Sequence, residues 1–316
     1  MFNHLTVLKH ESIELLAIKE DGIYVDATMG GGGHSTEILK KLSTGHLYAF
    51  DQDDFAICKT PQKLAHISKN FTVIKSNFVN IKSELALCGV KQIDGIIFDL
   101  GVSSPQLDDE KRGFSYHYDA QLDMRMDKDA KLTAKEVINK WEFNELVRIF
   151  SRYGEERFSK QIARKIEAQR RVSPIESTLE LVEIIKAAIP AAARRRGGHP
   201  AKRIFQAIRI AVNDELNVFE KALAYAMDML KVNGRIAVIA FHSLEDRIVK
   251  HMFAKVSKED DVYRGMPVVP VKYLPEFEII TKKPVTPSES ELKINRRSRS
   301  AKLRVIQRTR IRYSEN

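Results

Sequence analysis

Cysteine is scarce in this chain of 316 residues: Cys58 and Cys88 stand thirty positions apart and form no C-x-x-C pair. That pattern supports neither a disulfide framework nor a zinc site, so both read as small buried apolar residues in a reducing, cytoplasmic setting. Long apolar runs are missing as well. No stretch approaches the ~20 residues that span a bilayer, so no membrane partner is expected. Lys9, Glu11, Glu14, Lys19 and Glu20 leave no room near the start for a signal-peptide core. Internal repeats are absent. With 43% hydrophobic and 30% charged residues, the composition excludes global disorder and a collagen-like fibre. The length lies just past the size at which one core stops growing, which favours a large domain with an insert. Fifty-two basic side chains oppose 42 acidic ones, a net charge of +10. Such a surplus points to a polyanionic partner, nucleic acid before membrane.

Short apolar runs alternate with helical patterns over the first hundred residues. Ile23–Asp26, Leu47–Asp51, Phe71–Ile74 and Gly95–Asp99 read as four strands with helix-length spacers, the grammar of a parallel sheet covered on both faces. From about Pro105 to Asn213 no convincing strand occurs. Thr133–Glu136 and Ser177–Glu180 have the spacing of capping boxes. Between them, Phe158, Ile162 and Ile166 make an apolar stripe, with Arg157, Lys160, Arg164 and Arg171 on the opposite face. Strand grammar resumes after a Val232-Asn233-Gly234 turn, with candidates at Arg235–Phe241, Phe277–Thr281 and Ala301–Ile306. The expected architecture is α/β: a doubly wound, mostly parallel sheet of seven strands, interrupted after the fourth by helices. The last two strands should supply an antiparallel edge.

The strongest local signal is Asp26-Ala-Thr-Met-Gly-Gly-Gly-Gly-His34, a strand entering a glycine turn and then a helix. Glycines there admit close approach of a ligand, and the helix start offers unpaired amides. The dinucleotide fingerprint G-x-G-x-x-G fails, because Ser35 holds its third glycine position. Asp51 closes the next strand, 18 residues after Gly33. It suits either the ribose hydroxyls of a nucleoside cofactor or a helix cap. The fourth strand runs into Asp99-Leu-Gly-Val-Ser-Ser-Pro-Gln106, a loop that faces the ligand crevice or is a plain turn. Phe241-His-Ser-Leu-Glu-Asp-Arg247 lacks the G-x-S-x-G elbow of a hydrolase, and Ser243–Asp246 reads better as a capping box. Two acid-free basic runs, 194–209 and 293–312, join the basic helical face as a candidate polyanion track.

Taken in order, these motifs resemble a known family. Asp99-Leu-Gly-Val-Ser-Ser-Pro-Gln-Leu-Asp108, Arg112-Gly-Phe-Ser115, Leu122-Asp-Met-Arg-Met126 and Tyr153-Gly-Glu-Glu-Arg-Phe158 follow the glycine turn. His199-Pro-Ala-x-Arg-x-Phe-Gln-Ala-x-Arg209 and Phe241–Arg247 come after them. The chain resembles the bacterial small-subunit ribosomal RNA cytosine N4-methyltransferases over nearly its whole length, departing at Ala120-Gln121, where the family has Gly-Pro. The resemblance implies a class I S-adenosylmethionine-dependent methyltransferase fold, with residues 1–104 and 216–316 binding S-adenosyl-L-methionine. Residues 105–215 would form an inserted helical RNA-recognition domain. It also implies cofactor contacts at Gly32, Gly33, His34, Asp51, Phe78, Asp99 and Gln106.

The implied reaction is methyl transfer to the exocyclic N4 of a cytidine in small-subunit rRNA, free or within the small ribosomal subunit. That amine is a weak nucleophile, so a group must accept an N4 hydrogen, and Asp99, Ser104 and the backbone carbonyls of Ser103–Pro105 are the candidates. A sulfonium methyl is already electrophilic, so no metal is expected. Arg194, Arg195, Arg196, Lys202 and Arg203 are the candidate RNA contacts. Two other classes stay open: a nicotinamide oxidoreductase, against which Ser35 counts, and a non-catalytic ribosome-assembly factor, against which the intact glycine turn, Asp51 and Asp99 count.

Overall fold

The computed structural model describes residues 6–195, 198–258 and 273–311. The chain packs as two compact units, Met1–Gly101 with Val218–Asn316, and Val102–Asn217. The first contains a seven-stranded sheet in the order β3-β2-β1-β4-β5-β7-β6. Its strands are β1 (Ile23–Asp26), β2 (His46–Asp51), β3 (Phe71–Lys75), β4 (Ile93–Asp99), β5 (Leu230–Ala240), β6 (Phe277–Ile279) and β7 (Lys302–Arg308). β1 to β5 run parallel, whereas β7 is antiparallel to both β5 and β6. This matches the mostly parallel sheet and antiparallel edge expected from the sequence.

Side chains alternate across the sheet and so build two cores. Ile96 and Phe98 of β4 join Ile236 and Val238 of β5 on one face. Ile97, Ala237 and Ile239 occupy the other with Leu303 and Val305 of β7. Burial on both faces is why these strands read as continuous apolar runs. Covering them are α1 (Lys9–Leu16), α2 (Gly33–Lys41), α3 (Asp54–Ala65), α4 (Ile81–Leu87) and α13 (Ser243–Ser257), with α14 (Glu289–Ile294) near the end. α12 (Glu215–Met229) carries the boundary between the units in its first turn.

The second unit is helical: α5 (Ser104–Asp108), α6 (Ala134–Lys140), α7 (Phe143–Arg152), α8 (Ser159–Val172), α9 (Thr178–Ala188), α10 (Ala191–Arg194) and α11 (Lys202–Asn213). Leu146, Ile149 and Phe150 of α7 pack with Ile162 and Ile166 of α8, Leu181 and Ile185 of α9, and Ile204 and Ile208 of α11. Each set recurs at helical spacing, so one stripe per helix faces one shared core. The Ala120-Gln121 segment is pinned to the start of α9, since Ala120 donates its N–H to Thr178 Oγ1 at 3.0 Å and Thr178 N–H returns to Ala120 O at 2.9 Å.

Several local expectations need correction. Both cysteines are exposed, Cys58 on α3 and Cys88 just past α4, so neither fills a core. Val232-Asn233-Gly234 lies inside β5 rather than before it. Asn233 takes a left-handed φ of 67° where the register with β4 shifts, so the triplet kinks the strand. Ser177 caps α9 by accepting from Glu180 N–H, but Glu180 Oε2 accepts from Glu176 N–H at 2.9 Å rather than closing the box. The box at α13 sits one residue earlier than expected. His242 is extended and is the cap, and buried Glu245 accepts from the N–H of Phe241 (2.7 Å) and of His242 (3.2 Å).

Candidate active site at the strand ends

Three carboxylates close three neighbouring strands, Asp51 on β2, Asp26 on β1 and Asp99 on β4. Asp26 is buried and accepts from Ser35 Oγ at 2.6 Å and from Thr28 N–H at 3.1 Å. Ser35, the residue that breaks the dinucleotide fingerprint, therefore spends its hydroxyl holding the end of β1. Burial raises the Asp26 carboxyl above the ordinary carboxylate range, against the pull of His34 and the two hydrogen bonds.

Asp51 is clamped by the turn it faces. Its two oxygens accept from Gly30 N–H and Asp53 N–H, both at 2.8 Å. Burial pushes this carboxyl up to about 6, while the two amides oppose the rise. Asp53, in turn, caps α3 by accepting from Phe55 N–H at 3.0 Å. The acidic cluster Asp51-Gln-Asp-Asp54 is thus divided by role: Asp54 lies in an ion pair with Lys75 at 2.6 Å.

The glycine turn is gripped from α3, where Thr60 Oγ1 donates to Gly30 O at 2.6 Å and Lys63 Nζ to Gly31 O at 2.8 Å. Gly32 has a left-handed φ of 70°, and a side chain there would meet the Thr60 methyl. At Gly33 a Cβ would collide with the Thr6 hydroxyl. These two glycines are therefore required by the chain's own packing as well as by access to the turn. Gly32 is the N-cap of α2 and supplies no side-chain cap, so the first amides of that helix lack intrahelical partners.

His34 and Asp99 form the most unusual pair. His34 is 3% exposed, yet neither ring nitrogen has a hydrogen-bond partner, and Asp99 Oδ1 is buried in the same condition. His34 Nε2 stands 3.5 Å from Asp99 Oδ2, too far for a strong bond. Thr28 fixes the Asp99 backbone, since its Oγ1 accepts from Asp99 N–H at 2.7 Å. Buried polar groups are normally satisfied, so the pair leaves unmet hydrogen-bonding capacity suited to a polar ligand. Phe78, in a short turn after β3, packs edge-on against Phe98 at 5.8 Å and is half-buried. At the end of β5, His242 Nε2 lies 3.0 Å from Glu245 Oε1.

The remaining candidates belong to the helical unit. Gln106 is buried, and its Oε1 accepts from Ser103 N–H at 2.9 Å, closing a capping box on α5. Ser104 opens that helix. Arg194, Arg195, Lys202 and Arg203 are exposed, with Arg203 Nη1 donating to Glu155 O at 3.2 Å. Arg196 lies outside the described residues. The structure thus brings His34 to Asp99, and Gly30 rather than Gly32 or Gly33 to Asp51. Asp26, Thr28 and Thr60, which orient this site, were not singled out from sequence, and Ser35 was noted there only for breaking the dinucleotide fingerprint. Only Asp26 and Thr28 stood within a recognised motif.

A sheet of this order, with its reversed β7 and its ligand-ready acids at the strand C-termini, is that of a class I S-adenosylmethionine-dependent methyltransferase. Comparison narrows this class to one family. Residues 1–309 match the MraW methylase family, to which the chain belongs. It is 61% identical over 308 residues to the Ribosomal RNA small subunit methyltransferase H of Exiguobacterium sibiricum, covering 98% of this chain and 99% of that one. The protein of the same name from Limosilactobacillus fermentum is 59% identical over 309 residues, covering 97% and 98%. A solved rRNA methylase from Streptococcus thermophilus is 14% identical, with a TM-score of 0.45 over 97% of this chain and 99% of that one.

Proposed function

We propose that this chain transfers the methyl group of S-adenosyl-L-methionine to the exocyclic N4 of a cytidine in small-subunit rRNA, in the cytoplasm. The names of its near relatives support the rRNA substrate. The observation that carries the site assignment is the set of buried atoms without hydrogen bonds beside the glycine turn, both ring nitrogens of His34 and Oδ1 of Asp99. Those orphaned atoms fit a cofactor with both a charged amino acid moiety and a ribose.

In this reading Gly32, Gly33 and His34 hold the cofactor at the start of α2. Asp51 accepts from its ribose hydroxyls with lone pairs left over from the Gly30 and Asp53 amides. Phe78 flanks the nucleoside, and Gln106 adds a polar contact. The bound sulfonium supplies an electrophilic methyl, which needs no Lewis acid, so the proposed reaction uses no metal. The protein's own task is to hold the amine in line and dry, which converts a bimolecular encounter into an oriented one. As the new N–C bond forms, one N4 hydrogen leaves as a proton, and Asp99 or Ser104 is its first acceptor. Residues 105–215 serve RNA recognition, with Arg194, Arg195, Arg196, Lys202 and Arg203 on phosphates.

Calorimetric titration with S-adenosylhomocysteine tests the cofactor half. Asp51→Ala should weaken binding by roughly 2–4 kcal/mol, the loss of two hydrogen bonds to a charged acceptor. Unchanged affinity would remove Asp51 from the site.

A further inference from the structure

Several cations of the helical unit sit against acids. Lys135 pairs with Glu176 at 2.5 Å, Lys140 with Glu136 at 3.0 Å, Lys186 with Glu183 at 2.7 Å and Arg209 with Glu215 at 2.8 Å. The exposed cations of α8 do not. Lys160, Arg164, Lys165 and Arg171 are exposed along it, with Arg157 just ahead, and none has a side-chain hydrogen bond or ion pair among the described residues. The one acid of α8, Glu167, is taken by Arg170 at 3.7 Å. Arg170 itself is turned inward, donating to the carbonyls of Ile138 (2.9 Å) and Trp141 (2.7 Å).

Ordinary helix chemistry does not explain the four outward cations. A solvated helix face gains from interleaved signs at i,i+3 or i,i+4, as Glu136 and Lys140 show on α6. Arg171 suits the negative end of the helix dipole, but Lys160 lies in the first turn, where positive charge is unfavourable and where no acid compensates. Burial of Ile162, Ala163 and Ile166 on the opposite face prevents the helix from rolling its charges away. At 14 residues α8 is about 21 Å long, enough to follow several successive phosphates. α7, packed against it, adds Arg148 and Arg152 one turn apart, also exposed and without ion pairs.

We propose that the outward face of α8 is a docking track for the RNA phosphate backbone, separate from the 194–203 run. The assignment rests on the reading that rRNA is the substrate. It concerns affinity and register rather than choice of base, because phosphate contacts carry no sequence information directly.

The test uses the full chain and a small-subunit rRNA fragment, with affinity measured across a salt series. The variant replaces Lys160, Arg164, Lys165 and Arg171 by Gln. A comparator replaces four cations that already have acid partners, Lys40, Lys135, Lys140 and Lys186. The α8 variant should bind RNA at least about tenfold more weakly at moderate salt, with the slope of log affinity against log salt reduced by roughly 0.7–0.9 per lost contact. The comparator should keep most of its affinity, and both should retain wild-type thermal stability and S-adenosylhomocysteine affinity. An α8 variant with wild-type affinity and slope would overturn the proposal and leave the face to some other polyanion. Equal losses in both variants would also overturn it, as an effect of net charge alone. If the unaltered chain bound rRNA with no salt dependence, the substrate reading itself would fail and take the track with it.

Discussion

Asp51 shows how a ligand-binding residue sets a condition on the empty protein. Its folded value of about 6 lies above the ordinary aspartate value, so between the two values the native state holds a proton that the unfolded chain has already lost. The ionised carboxylate therefore costs stability above pH 6, and that cost is relieved as pH falls through 6. Between roughly pH 7.5 and 5.5 the cofactor-free protein should gain about 1 kcal/mol from this group. Cofactor affinity should fall over the same interval, because the protonated acid loses an acceptor site. Denaturant unfolding and calorimetry on wild type and Asp51→Ala separate this from other titrations. Both trends should shrink in the variant, and identical pH profiles for the two proteins would refute the assignment. At this scale the strand-end acids were legible, since Asp51 and Asp99 each follow an apolar run directly. What holds them was not, because the Thr28 bond to Asp99 joins residues 71 positions apart. Likewise, nothing local shows that Ser35 and Asp26 meet in a buried bond.

Among the elements, α13 is tied to β7 by one carboxylate. Asp246 accepts from Arg304 Nε at 2.6 Å and from Lys302 Nζ at 3.0 Å. These cations outweigh partial burial and hold the carboxyl below the usual range. A lowered folded value means that the stabilisation is present above the unfolded aspartate value and disappears as pH falls through the folded one. Asp246→Asn should cost roughly 1.5–3 kcal/mol at neutral pH and less in strong acid, as read from denaturant midpoints. A neutral-pH midpoint equal to wild type would show that the pair contributes nothing. The helix ends explain which elements a reader of the sequence can bound. Thr133–Glu136 forms the full reciprocal box, since both partners carry the common cap chemistry. At α13 the cap is a histidine, an unusual choice, and the neighbouring Ser243 is the more conventional signal but lies inside the helix. β5 starts five residues before the Arg235 expected from sequence, because the kink at Asn233-Gly234 carries the same Asn-Gly signature as a turn.

At the scale of the molecule, the two periodicities in the sequence map onto two kinds of core. Runs buried on both faces became β1, β4 and β5, and stripes at helical spacing became the shared centre of α7, α8, α9 and α11. The antiparallel edge was legible from short strands late in the chain. The uneven distribution of charge was only half legible: basic runs stand out in sequence, but which cations are already neutralised depends on pairs such as Lys135–Glu176, 41 positions apart. That distinction makes α8 a more specific candidate for RNA contact than the density of arginine alone. No helix among the described residues is long and apolar enough to cross a membrane.

The proposed activity of this protein is the transfer of a methyl group to cytidine N4 in small-subunit rRNA. The most direct measurement is mass spectrometry of nucleosides from small-subunit rRNA or subunits lacking the modification, incubated with S-adenosyl-L-methionine with and without the purified protein. N4-methylcytidine should appear in the treated sample only, and should be nearly absent when Asp99→Asn replaces the wild-type chain. Methylation at cytosine C5 or on another base would contradict the proposed acceptor. No methyl transfer by a protein that binds the cofactor, to either free rRNA or subunits, would contradict the proposed activity.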